Sequence, residues 1–146
     1  MLVVRIRYKI IEFPISSMLE TGQWKENNQK EIAIEDVSAV AFAYVLEYLY
    51  TGDAKISVKN EWEHLLQLLA ASNRFLLDTL KRKCEHLLAK KLDLENAFAI
   101  YTAASDHEAF ALRKMVAHFI LENYAQISFA DEQRGILLDI LAFLRT

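Results

Sequence analysis

Residues 32–52, IAIEDVSAVAFAYVLEYLYTG, decide how this chain folds. Ile32 and Ile34 step by two within EIAIE (31–35), the period of a short strand with one apolar face. The pattern then changes. Asp36 and Ser38 are both suited to cap a helix start, and Gly52 stands where a helix would end in a left-handed turn. Between them Glu47 is the only charged side chain, so this helix is expected to be buried nearly all round. A strand of a few residues feeding a buried helix of more than three turns points to a mostly α (α+β) fold with a small β element.

Downstream the helical period persists. In 60–75, Leu65, Leu66, Leu68 and Leu69 form a broad apolar face. In 76–92, Leu77, Leu80, Cys84, Leu87 and Leu88 step by three and four, and most of the basic residues Lys81, Arg82, Lys83, Lys90 and Lys91 fall off that stripe. Asp93 is placed to cap the next helix, whose apolar side is Leu94, Ala97, Phe98 and Tyr101. Leu112, Val116, Phe119 and Ile120 mark another. Ser128 and Asp131 resemble a capping box before a last helix containing ILLDILAFL (136–144). Upstream, Val4, Ile6, Tyr8 and Ile10 alternate with Arg5, Arg7 and Lys9 as in a strand, up to Pro14. That strand is expected to pair with the edge offered by EIAIE and to turn its apolar residues toward the helices. ISSMLE (15–20) reads as a short helix, and 23–31 as a polar loop.

Composition agrees and excludes several classes. With 146 residues, three Gly and one Pro, the chain has too few turn residues for a sandwich or barrel. A net charge of -3 argues against a nucleic-acid surface or binding to an anionic membrane. No stretch is long and apolar enough to span a bilayer. The lone Cys84 rules out an intramolecular disulfide and fits an intracellular setting, cytoplasm or nucleus. Cys84 and His86 project about 200° apart on a helix, so they form neither a metal pair nor a nucleophile–base pair, and Cys84 is read as a core thiol. The remaining histidines, His64, His107 and His118, have no metal-ligand spacing. With no Gly-rich phosphate loop and no nucleophile elbow, no enzyme, cofactor or metal is expected.

The order of these elements resembles a known family. Residues 32–52 resemble the centre of a BTB (POZ) domain, and LLQLLAASNRFLLDTLKRKCEHLL (65–88) resembles its last two helices. KLDLENAFAIYTAASDHEAFALRKMVAHFILENYAQI (91–127) is similar to the helix pair, the three-box, that opens a BACK domain; residues 129–146 look like a further BACK helix. The resemblance divides the chain into a non-matching segment (1–14), a partial BTB/POZ domain (15–91) and the start of a BACK domain (92–146), built of antiparallel helix pairs.

The resemblance implies a protein–protein interaction module. Many such chains are substrate adaptors of a ubiquitin ligase and bind the N-terminal region of cullin-three. In those adaptors a hydrophobic residue, any residue and then a Glu follow the third helix, and Trp24-Lys25-Glu26 matches that pattern. An aromatic residue where the last two BTB helices meet also faces the cullin, which implies the same role for Phe75. The three-box, residues 96–124, is expected to widen the contact. An aromatic anchor beside a hydrogen-bonding charge is typical of an interface hot spot, which accounts for a tryptophan in a polar loop.

The chain departs from the family in its first residues. The strands and helices that open a BTB domain have no counterpart in 1–13, and they carry most of the family's dimer interface. A family-type homodimer is therefore not expected, and exposed apolar surface would favour non-specific association. The chain reads as a fragment, a splice form or a gene product with a foreign N-terminus. The alternatives to the adaptor reading are a BTB oligomerisation module without a ligase role and a truncated chain without autonomous function. The three-box favours the adaptor.

Overall fold

The structure, a computed structural model, describes residues 2–5, 31–34, 36–57, 59–127 and 131–146, with side chains described in 36–57, 59–127 and 133–146. The described elements are β1 (Leu2–Arg5), β2 (Glu31–Ile34), α1 (Ala39–Thr51), α2 (Trp62–Arg74), α3 (Asp78–Lys90), α4 (Ala97–Asp106), α5 (Phe110–Glu122) and α6 (Asp131–Arg145), with a short 3-10 turn at Tyr124–Gln126. The fold is mostly α, as expected. Two compact units can be distinguished, Met1–Arg82 and Lys83–Thr146, and each is described by itself.

In the first unit β1 and β2 pair antiparallel, with Leu2 opposite Ile34 and Val4 opposite Ile32. The expected pairing of the N-terminal strand with EIAIE is thus present over four residues. The orientation of Val4, Ile6, Tyr8 and Ile10, and the expected helix at 15–20, lie outside the described residues. Between the two candidate caps of α1, the backbone favours Ser38. Asp36 is left-handed (φ 61°), whereas Ser38 is extended and its Oγ accepts from the Ala41 N–H at 3.1 Å. Gly52 ends the helix at φ 75°, donating its N–H to the Tyr48 carbonyl at 2.8 Å; a Cβ there would be strained.

The expectation that α1 is buried nearly all round is corrected. Ala41, Phe42 and Val45 are buried, but Val40 and Tyr50 are 44% and 64% exposed. Lack of charge predicted burial, yet a helix is buried only where another element covers it, and α1 packs on α2 along one side. The inner face of α2 is Leu65, Leu68, Leu69, Ala71 and Ser72. Ser72 is fully buried and meets its hydrogen-bonding need locally, its hydroxyl donating to the Leu69 carbonyl at 2.8 Å. On α3, whose residues from Lys83 on belong to the second unit, the stripe Leu77, Leu80, Cys84, Leu87 and Leu88, continued from the residue before the helix, is buried throughout.

In the second unit α4 packs on α5, and α6 touches both. Ala97, Phe98, Ile100, Tyr101 and Ala104 of α4 and Leu112, Val116, Ala117 and Ile120 of α5 are buried. Leu94, expected on that apolar side, is 37% exposed, because regular helix begins three residues later at Ala97. Asp93 still acts as a cap for the preceding turn: its Oδ1 accepts from the N–H groups of Glu95 and Asn96 at 2.9 and 2.8 Å. Buried Asn96 completes the knot, accepting from the Asp93 N–H and donating to the Lys91 carbonyl.

Two helices of the chain share one local plan. Helices α3 and α5 are each 13 residues long and begin 32 residues apart, at Asp78 and Phe110. The buried Leu80, Cys84 and Leu88 correspond at that spacing to the buried Leu112, Val116 and Ile120. The residue types conceal this correspondence, since Leu, Val, Ile and Cys substitute freely in a core.

Candidate partner-binding surface

Of the three expected contact residues, Trp24 and Glu26 lie outside the described residues. Phe75 caps the C-terminus of α2. It is 4% exposed, and its ring lies 6.0 Å from that of Phe42, tilted by 59°, within the range of favourable aromatic pairs. The ring therefore serves the core of the first unit. The side chain displayed at this corner is the next one, Leu76, which is 75% exposed.

The corner geometry follows from how α2 ends. Leu76 N–H donates to the Asn73 carbonyl at 3.2 Å, and Leu77 N–H reaches back to the Ser72 carbonyl at 2.9 Å. These are the two bonds of a Schellman motif, which requires a left-handed residue just past the helix. Leu76 takes that position at φ 56°. Leu77 then turns inward (7% exposed) and α3 begins at Asp78. Sequence reasoning missed Leu76. The available signal was three successive apolar residues, Phe75-Leu76-Leu77, across a helix end with no glycine. Such a run cannot all point to one side.

In the second unit a polar clamp holds α6. The Tyr101 hydroxyl donates to Asp139 Oδ2 at 2.8 Å and accepts from Arg113 Nε at 3.2 Å, while Arg113 Nη2 donates to the same Asp139 oxygen at 2.9 Å. The guanidinium also lies 5.3 Å from the centre of the Tyr101 ring and 4.1 Å from that of Phe143, within cation–π range. The Tyr101 hydrogen bond, followed by the nearby Arg113 charge, holds the Asp139 carboxyl below its usual range. Burial, reinforced by Asp139, pushes the Tyr101 hydroxyl up. The clamp joins α4, α5 and α6, residues 12 to 38 apart in sequence, and reads as structural. An open groove of ≈ 460 Å³ is lined by Phe98, Thr102, Asp106 and His107 with Gln133 and Ile136 of α6, among others.

Cys84 is fully buried, and burial pushes its thiol up to about 12; a thiol in that state is a poor nucleophile. This agrees with the core reading. Among the described residues no cluster of three or more His, Cys, Asp or Glu could hold a metal ion, and no helix is long and apolar enough to cross a membrane.

The BTB/POZ domain family model matches residues 14–92. Armadillo BTB Arabidopsis protein 1 of Arabidopsis thaliana is 30% identical over 128 residues, covering 84% of this chain and 17% of that protein. Kelch repeat and BTB domain-containing protein 7 of Homo sapiens is 31% identical, over 79% of this chain and 16% of its own length. Kelch-like protein 6 of Homo sapiens is 31% identical, over 80% and 18%. The chain thus spans less than a fifth of the length of these relatives, and the similarity covers more of it than residues 14–92. The family match over more than half the chain, on a mostly α fold, means that this chain belongs to the BTB/POZ domain family and is a protein-interaction module.

Proposed function

We propose that the chain is the adaptor segment of a ubiquitin ligase that docks on the N-terminal region of cullin-three. The observation that carries this reading is the continuation of the similarity past the BTB/POZ match. Relatives align over 79% to 84% of the chain, and beyond residue 92 the chain forms the α4–α5 hairpin. A BTB/POZ domain followed directly by such a helix pair is the arrangement that the resemblance associates with cullin adaptors. On this reading residues 92–146 open a BACK domain. Trp24 and Glu26 are the anchors of the docking loop, the corner that Phe75 organises lies in the contact, and residues 96–124 widen it. The chain works inside the cell, in cytoplasm or nucleus. The test is isothermal titration of the 146-residue chain with the cullin-three N-terminal region. Saturable 1:1 binding is expected, and absence of heat at micromolar concentrations of both proteins would overturn the proposal.

A further inference from the structure

We infer that Leu76, and not the buried Phe75, is the side chain that the α2–α3 corner inserts into its partner, an inference that rests on the cullin docking proposed above.

The argument starts from two costs at one residue. A side chain with a Cβ is strained in the left-handed region, and for a bulky residue that conformation is a genuine outlier. Leu76 is held there at φ 56°. It also presents its side chain to water, being the most exposed of the large hydrophobic residues of α1, α2 and their connection to α3, at 75%. A Schellman position is usually Gly or Asn, which would remove both costs. Strain of this kind persists where the surroundings determine it, and it concentrates at binding sites.

The molecule contains its own control. The α4–α5 corner repeats the α2–α3 corner bond for bond. Glu108 N–H donates to the Ser105 carbonyl and Ala109 N–H to the Ala104 carbonyl, matching Leu76 to Asn73 and Leu77 to Ser72. Glu108 is left-handed at φ 54° and stands 32 residues after Leu76. The same backbone therefore accepts an exposed, charged residue, so the turn does not require a leucine at 76.

The corner is also built to hold that leucine out. Phe75 is locked by burial against Phe42, and Leu77 is buried on the other side, so the residue between two inward-pointing neighbours projects outward. Arg74 and Asp78 flank it and are exposed. A single exposed apolar side chain on a hydrogen-bonded turn, flanked in sequence by two polar residues, suits the role of an aliphatic anchor for an apolar pocket with a polar rim. The backbone ordering cost on binding is small because the turn is already held by its hydrogen bonds.

The test pairs stability with affinity on the full 146-residue chain, titrated with the cullin-three N-terminal region. Leu76→Gly relieves the left-handed strain, a cost larger than the freedom glycine adds to the unfolded chain. It should raise the melting temperature and weaken binding by about tenfold or more. Leu76→Glu copies the residue that the equivalent corner carries. It should fold normally and weaken binding at least as much. Leu138→Gln removes another exposed leucine, 69% exposed on α6, and should leave affinity unchanged. Opposite signs for stability and binding in Leu76→Gly are what a purely structural leucine would not give. Wild-type binding with Leu76→Gly and Leu76→Glu within twofold of it overturns the inference and leaves the proposed function standing. A lowered melting temperature for Leu76→Gly shows that the leucine packs on its own domain and also overturns it. No binding by the wild type removes the docking proposal and this inference with it.

Discussion

Replacing Phe75 by Ala separates a core ring from a contact ring. Phe75 is 4% exposed and pairs with Phe42 at 6.0 Å. A ring of this class buries roughly 200 Å², which at about 25 cal/mol per Å² sets an upper bound near ~5 kcal/mol. Truncations of buried Phe to Ala cost about 3–5 kcal/mol once the cavity is included. A position at a helix end can relax in part, so we expect about 3–4 kcal/mol for Phe75→Ala. In a unit of this size that lowers the melting temperature by roughly 10 °C or more. The assay is thermal unfolding followed by circular dichroism, with urea titration as a second measure. A cycle with Phe42→Ala adds specificity. Because the two rings touch, the double variant should lose about 1 kcal/mol less than the sum of the single losses. A melting temperature within about 2 °C of wild type, a shift worth under about 1 kcal/mol, would refute the packing argument. It would return Phe75 to the exposed contact role that the family resemblance implies.

Other expectations follow from single features. Cys84, with its thiol pushed up to about 12 by burial, should resist an aromatic disulfide reagent at about pH 8 in the native state and react once urea unfolds the chain. Asn96→Ala should cost about 2 kcal/mol in urea unfolding, because it leaves the Asp93 N–H and the Lys91 carbonyl without the buried partner they now share. Asp139 has a depressed folded-state pKa, so its contribution is present above the unfolded value of about 3.9 and is lost as pH falls through the lower folded value. Hydrogen exchange should therefore show α6 loosening in acid below about pH 4, and Asp139→Asn should abolish that dependence.

The parts of the fold visible in the sequence are those set by local chemistry. Ser38 and Gly52 cap α1 through their own side chain or lack of one, and the stripe from Leu77 to Leu88 follows from helical period alone. What the sequence hid depends on distant elements. The exposure of Val40 and Tyr50 on an uncharged helix depends on which side another element covers. The clamp of Tyr101, Arg113 and Asp139 is spread over three helices and has no local signature. The choice between Phe75 and Leu76 turns on a single left-handed residue, and no periodicity argument reaches that. The 32-residue likeness of α3 and α5, with the turns before them, is carried by backbone bonds and burial more than by residue type.

On the proposed function the chain docks on a cullin through Trp24-Lys25-Glu26. The most direct measurement is calorimetric titration of wild type, Trp24→Ala and Glu26→Ala with the cullin-three N-terminal region, with a melting curve for each. Trp24→Ala should lose about 2 kcal/mol or more of binding, roughly thirtyfold in affinity. Glu26→Ala should lose about 1.5–3 kcal/mol through a charge-assisted hydrogen bond. Both should melt close to wild type. Unchanged affinity for Trp24→Ala, together with a loss of about 3–5 kcal/mol of stability as for a buried Trp, would contradict the account and leave that tryptophan a core residue.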